Sequence, residues 1–246
     1  MGNPIRQSMD FVRILAIRLV FFKAIPNRVT QGLIGITLAL LLANAWSYFH
    51  LAPGSDWARL LDVNQEENFA TAFSVALLLS CSGLLGMIAV LCRDITNRTP
   101  KIDLFVNHWG GLSFIFCCMA IDEWTLKHEH LNRILDDHFH TTGFFYYDWV
   151  IPGSLFVVAI ALLYRQFLLH LPIKTCQRFL IAGSTYVLGV LGMEMVSGYY
   201  IDLHGLENIG LLSLLNGIEE ALEMFGLVAF IRALMLYMRV ICLSDP

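Results

Sequence analysis

Residues 104–130 read LFVNHWGGLSFIFCCMAI followed by DEWTLKHEH, an uncharged apolar run that passes directly into acids and histidines. The run is long enough to cross a bilayer as a helix. Asp122, Glu123, His128 and Glu129 then lie where that helix leaves the membrane. Because such groups are costly beside lipid, they are expected to face protein, water, metal or one another. We also expect residues 122–148 to continue this helix into the aqueous phase.

The rest of the chain shares this apolar character. Of its 246 residues, 57% are hydrophobic and only 15% are charged, whereas soluble domains carry about 25% charged residues. Apolar segments of this length predict membrane-spanning helices at about 32–49, 69–92, 104–121, 149–169, 179–196 and 209–237. Residues 8–24 mix apolar and basic side chains, which predicts a short amphipathic helix on the membrane surface. We therefore predict an all-α polytopic membrane protein, a six-helix bundle that forms one domain over residues 1–246.

Charged residues are divided between the two ends of the predicted bundle. Of the 16 Lys and Arg, 13 fall at the end that also holds both termini. Since segments rich in Lys and Arg stay in the cytoplasm, both termini are predicted to be cytoplasmic. Of the 20 Asp and Glu, 16 fall at the outer end or in the outer half, with six of the eight histidines. The positive-inside rule does not require this acidic outer end, so it needs its own explanation.

One polar stripe runs along the sixth predicted span. Ser213, Asn216, Glu219, Glu220 and Glu223 fall at helical spacing within about 100° of arc on an otherwise apolar helix. Packing alone does not predict three carboxylates in one span, so the stripe indicates a functional site.

The fifth and second predicted spans bring further carboxylates to a similar level. Glu194 lies roughly 24 Å along the helix from Arg178, about one turn below the outer surface of the hydrocarbon core. Glu67 begins the second span at its outer boundary. The fifth helix also carries four glycines that permit close helix packing, Gly183, Gly189, Gly192 and Gly198.

Clustered carboxylates repel one another unless they are protonated, paired or bridged by cations. Few bases lie at the outer end, which leaves protonation or metal binding. Carboxylates with imidazole suit a divalent iron, manganese or zinc ion. The predicted metal ligands are Glu67, Asp122, Glu123, His128, Glu129, Glu194, Glu219, Glu220 and Glu223. The sequence has no Glu-x-x-His pair of the kind that four-helix di-metal sites use. His204, in a loop, is a further candidate ligand.

Some of these residues also have a purely structural explanation. Glu67 falls in the first turn of a helix, where an acid favours the helix dipole. Glu194 could pair with one hydroxyl inside a packed bundle. The stretch from Asp122 to His130 could be an interfacial helix end without any ligand role.

The patterns D-E-x4-H-E, at residues 122–129, and E-E-x-x-E-M, at residues 219–224, resemble those of a broad group of uncharacterised bacterial multi-pass membrane proteins. The resemblance implies this fold and a bacterial inner membrane. It implies no activity and no catalytic residue.

The function that we expect is that of a metal-dependent membrane enzyme, an oxidoreductase or hydrolase, that acts on a lipid-like or membrane-delivered substrate. Two alternatives remain open. The carboxylates could serve a cation or proton transporter, or the acidic end could dock a membrane-protein partner of which the chain is an accessory subunit. A homo-oligomer is also compatible with the sequence. No nucleotide-binding loop, haem-attachment motif or HExxH zinc motif is present, and nothing predicts nucleic-acid binding.

Overall fold

The computed structural model describes residues 25–52, 54–63, 68–98, 105–136 and 139–244, and these residues are all-α with no strand. The amphipathic helix predicted at 8–24 lies outside them. The described helices are α1 (Ile25–His50), α2 (Asp56–Leu61), α3 (Phe69–Arg98), α4 (Val106–Thr125), α5 (Lys127–Asp136), α6 (Val150–Leu163), α7 (Arg165–His170), α8 (Ile173–Val187), a π-helix (Leu188–Met193), α9 (Glu194–His204) and α10 (Ile209–Ser244).

Four stretches of helix in the described chain are long and apolar enough to cross a membrane. They are Ile25–His50, Phe69–Asn97, Ile173–His204 and Ile209–Cys242. The first, second, fifth and sixth predicted spans fall within them. The third of these stretches is continuous from α8 through the π-helix into α9.

The third and fourth predicted spans correspond to shorter helices. α4 has 20 residues. α6 has 14 residues, which is about 21 Å and less than the ~30 Å hydrocarbon core. At Tyr164 the backbone turns to φ −94°, ψ 2° before α7 adds six residues.

The prediction that residues 122–148 continue the third helix is wrong, because that helix ends at Thr125. Leu126 has φ 51° and ψ 39°, a left-handed conformation that ends α4, and α5 begins at the next residue. Leucine is a good helix former, so the local sequence gives no signal for this break. As a result, Asp122 belongs to α4 whereas His128 belongs to α5.

The core of the bundle lies along α3 and α10. Leu77 and Leu85 of α3 and Met224 and Leu234 of α10 are buried in one apolar cluster. α3 is also tied to α4 by a reciprocal pair of hydrogen bonds. The Ser82 hydroxyl donates to the Ser113 carbonyl, and the Ser113 hydroxyl donates to the Ser82 carbonyl, both at 2.8 Å. Such small polar residues join helices in a membrane, where apolar surface gains little from contact with another helix.

An aromatic cluster fills the bundle at the end where α4 and α8 begin. The indole of Trp109 contacts the rings of Phe167, Tyr237 and Phe179, at centroid distances of 4.7, 4.9 and 6.0 Å. Phe230 continues the cluster, with its ring 4.8 Å from that of Phe179. α4, α7, α8 and α10 are therefore joined at this end by stacked and edge-to-face rings.

Two glycines bring α8 with its π-helix and α10 into backbone contact. A Cβ atom on Gly226 would lie 2.7 Å from the backbone N of Tyr186 and 2.9 Å from its Cα. On the other helix, a Cβ on Gly189 would lie 2.7 Å from the Cγ of Glu223 and 3.0 Å from the carbonyl oxygen of Glu219. Each helix thus places a glycine against the other, and the two contacts lie one turn apart. Any larger residue at either position would require a shift of the partner helix.

We predict that Gly226→Ala lowers the free energy of unfolding by about 1–3 kcal/mol, the usual cost of overpacking. The control is Gly217→Ala on the same helix, because a Cβ there would have its nearest neighbour, Asn44 Nδ2, at 3.9 Å. Thermal unfolding of detergent-purified protein measures both. Equal unfolding temperatures for the two variants would contradict the close contact at Gly226.

Candidate functional site

A cavity of about 1200 Å³ lies between α4, α6, α8 with the π-helix, and α10. Its lining has a polar part and an apolar part. One end carries carboxylates, and the remainder is mainly apolar, with side chains such as Phe116, Val157, Leu168 and Leu227. Drug-sized ligands occupy cavities of ≈ 300–1,000 Å³, so this one has room for a larger molecule.

The carboxylate end brings together most of the acids that were predicted as ligands. Three segments contribute, namely the last turn of α4, the start of α9 and the stripe on α10. The cavity-lining acids are Asp122, Glu123, Glu194, Glu219, Glu220 and Glu223. Asn216 of the stripe also lines the cavity, whereas Ser213 does not. The helical spacing on α10 therefore predicted most of one wall of the site.

The carboxyl groups on α10 lie within electrostatic reach of those on the other helices. Glu223 interacts with Glu220, Glu123, Glu219 and Glu194, and Glu219 interacts with Glu194, Glu220 and Glu123. Ionised carboxylates this close together repel one another, so the cluster must be protonated, paired or bridged by a cation.

Two polar atoms at this end of the cavity are buried and have no hydrogen-bond partner. They are Oε2 of Glu220 and Oγ of Ser197. Ser197 is only 3% exposed, and both residues line the cavity. A buried oxygen without a partner costs about 1–3 kcal/mol. The fold therefore leaves two buried polar groups without a partner in residues that line the cavity.

Three predicted ligands cannot be placed in the cluster. Glu67 lies outside the described residues, as do the side chains of His128 and Glu129 on α5. Among the residues that the structure does describe, no three His, Cys, Asp or Glu side chains lie close enough together to hold one metal ion. His204 is exposed, with its Nδ1 3.3 Å from the carbonyl oxygen of Tyr200, and does not line the cavity.

Sequence reasoning missed Tyr186, whose phenol lies in the cluster. It lines the cavity and is within electrostatic reach of Glu223, Glu123 and Glu220. A single tyrosine in an apolar span gives no sequence signal for a site, and its alignment with Glu194 depends on the π-helix. Since two α turns hold about 7.2 residues and a π turn adds about one more, Tyr186 and Glu194 are two turns apart and share a face. Regular α-helical spacing places them about 80° apart.

A roof formed by α5 and residues 139–149 covers the carboxylate end. The backbone N–H of Gly143 donates to Oδ2 of Asp202 on α9 at 2.9 Å, and that of Trp149 donates to Oδ1 of Asn132 at 3.2 Å. The ring of Phe144 stacks on that of Tyr199 at 4.5 Å. The contacts of Gly143 and Phe144 fix the roof to α9, and the contact of Trp149 joins the two parts of the roof.

Exposed apolar side chains line the cavity between α4 and α6. Phe114 is 71% exposed, Phe156 51% and Ile121 49%, and all three also line the cavity. The cavity is therefore open on the side between α4 and α6, and its rim there is apolar.

The other end of the cavity is lined by aromatic side chains. Phe167, Phe179 and Phe230 of the aromatic cluster lie there, together with Tyr164, whose ring is 5.8 Å from that of Phe167. No acidic or basic side chain lines this end within the described part of the chain. The cavity is thus polar under the roof and apolar toward the opposite side of the bundle.

A family model covers nearly the whole bundle. It matches residues 33–238 and is described as a domain of unknown function, DUF8692. The chain belongs to this family. No curated protein and no solved structure matches the chain. The family model begins in α1 and ends in α10, so the cavity and all of its lining residues lie within the family domain.

We predict that Glu220→Gln raises the free energy of unfolding, measured in the presence of a chelator, by about 1–3 kcal/mol. The amide keeps the shape of the side chain, removes one charge from the cluster and adds donors for neighbouring carboxyl groups. Glu207→Gln is the control, because Glu207 is exposed and does not line the cavity. A lower unfolding temperature for Glu220→Gln than for wild type would mean that the carboxyl group stabilises the fold.

Proposed function

We propose that the chain is an integral membrane protein that binds a divalent cation with its carboxylate cluster and admits a lipid-like molecule into the same cavity. The cation and the polar end of the lipid-like molecule then meet under the roof. The observation that carries this proposal is the division of one cavity into a carboxylate end and an apolar part that is open between α4 and α6.

Ionised carboxylates this close together need positive charge between them. Six carboxylates line the cavity, and the basic side chains among the described lining residues are those of Lys127 and Arg133. The unpartnered oxygen of Glu220 supports the same conclusion. Carboxylate ligands suit iron, manganese or zinc when imidazole joins them. Rotation of the flexible glutamate side chains toward an ion, with Glu67, His128 and Glu129 as further candidate ligands, completes the proposed site.

A bound divalent metal supplies Lewis acidity and lowers the pKa of a bound water. The activity that fits is therefore a metal-dependent hydrolase or oxidoreductase acting on the polar end of a membrane-delivered substrate. This chain contributes the carboxylates that hold the ion, the Ser197 hydroxyl and the Tyr186 phenol as hydrogen-bonding groups, and a roof that separates the site from bulk water.

The membrane arrangement that we propose has six spans in one domain. α4, and α6 together with α7, join the four long apolar stretches as the third and fourth spans. Both termini lie in the cytoplasm of a bacterial cell, and the carboxylate end faces outward from the inner membrane. The distribution of Lys and Arg supports this orientation.

Transport of a cation or proton through the bundle is the weaker alternative. It requires polar groups along the whole path, whereas Tyr164, Phe167, Phe179 and Phe230 line the end opposite the carboxylates. Docking of a membrane-protein partner or of a second copy on the acidic end is the other alternative. Docking on the acidic end would not involve the apolar part of the cavity, so it does not account for that part.

Elemental analysis of detergent-purified protein tests the cation. We expect near-stoichiometric iron, manganese or zinc in wild type after reconstitution, and its loss in Glu220→Ala/Glu223→Ala, because both carboxylates line the cluster. Glu207→Ala should bind as wild type does. Helix content by circular dichroism establishes that the variants are folded. A wild-type protein that binds none of the three metals would overturn the cation site.

Native mass spectrometry tests the lipid-like ligand. We expect Gly183→Trp to lose most of the lipid that copurifies with wild type, because Gly183 lines the cavity and nothing lies within 4 Å of a Cβ there. Gly110→Trp is the control, since Gly110 is equally open but does not line the cavity. Metal content should be unchanged in both. Equal lipid loss from both variants would show that the lipid binds the outer surface of the bundle.

A further inference from the structure

We infer that the polar end of the lipid-like ligand is a phosphate ester. This inference rests on the proposed function, which places a lipid-like molecule and a cation in the same cavity. The observation that carries it is the position of two bases, Lys127 and Arg133, in the lining of an otherwise acidic end.

The two bases lie on the roof. Both belong to α5, whereas the carboxylates that line the same cavity belong to α4, α9 and α10. Bases are scarce at this end of the molecule, where the remaining one is Arg59 on α2, outside the cavity. Two of the three outer bases therefore line the cavity.

This arrangement selects the chemistry of the headgroup. A cationic headgroup would satisfy the carboxylates but place a third positive charge beside Lys127 and Arg133. An anionic headgroup fits between the bases of the roof and a cation held by the carboxylates. Phosphate presents several acceptor oxygens and a charge of about −1.5 to −2, enough to contact two bases and a metal together. Arginine in particular recognises phosphate with two parallel hydrogen bonds.

The apolar part of the cavity accommodates the chain that such a headgroup carries. Along α10 the lining extends from Asn216 to Phe230, which is about 21 Å of helix. The sideways opening between α4 and α6 lets an alkyl chain enter from the bilayer without crossing water. A phosphate under the roof with its alkyl chain toward the aromatic cluster matches both parts of the lining.

Binding of three probes with the same alkyl chain tests the inference: dodecyl phosphate, dodecanol and dodecylamine. Titrations followed by native mass spectrometry in an uncharged detergent measure their affinities for the full-length protein. Wild type should bind dodecyl phosphate at least about tenfold more tightly than the other two. The Lys127→Gln/Arg133→Gln variant should lose that preference, and Lys127→Arg/Arg133→Lys should keep most of it. Arg59→Gln is the matched control and should behave as wild type does.

Three results would overturn the inference: no preference for the phosphate, a preference for dodecylamine, or the same loss in Arg59→Gln. Metal content measured on the same samples separates this inference from the proposed function. Bound metal without a phosphate preference overturns the headgroup assignment alone. A phosphate preference that depends on Lys127 and Arg133 in protein that binds no metal supports the headgroup and overturns the cation site.

Discussion

The structure depends on the backbone contact between α10 and the helix that runs from α8 into the π-helix. In a bilayer, apolar side chains gain little by leaving lipid for another helix, so close van der Waals contact must hold the bundle together. Gly189 and Gly226 provide that contact, each against the backbone or the first side-chain carbons of the facing helix. Because neither glycine has a side chain, the neighbouring Tyr186 and Glu223 are brought to the same level, where both line the cavity.

This contact also explains why the carboxylates tolerate one another. Glu219, Glu220 and Glu223 lie on a helix whose next turns, at Met224, Leu227 and Val228, are buried in the core. The stripe cannot rotate away from the cluster without moving Met224 and Val228 out of the core. The apolar core therefore holds a repulsive polar arrangement in place, a common relation between a functional site and the fold around it.

Sequence periodicity predicted the helices and one wall of the site, because both depend on local spacing. Four of the six apolar runs lie within the long helices, and acids of the stripe from Asn216 to Glu223 line the cavity. Two features escaped prediction because no local residue encodes them. Leu126 is a helix former in a left-handed conformation, and the π-helix inserts about one extra residue between Tyr186 and Glu194. The break separates Asp122 from His128, and the π-helix brings Tyr186 and Glu194 onto one face.

The cavity itself could not be predicted, because it depends on where helices fail to fill the space between them. The exposed side chains of Phe114, Phe156 and Ile121 mark the side between α4 and α6 where the helices leave this space open. An open wall has a physical consequence for the charges inside. Lipid does not solvate an ion, so the proposed cation would be solvated by the carboxylates and the proposed headgroup by Lys127 and Arg133. Opposite charges in one cavity attract, so we expect each of the two proposed ligands to raise the affinity of the other.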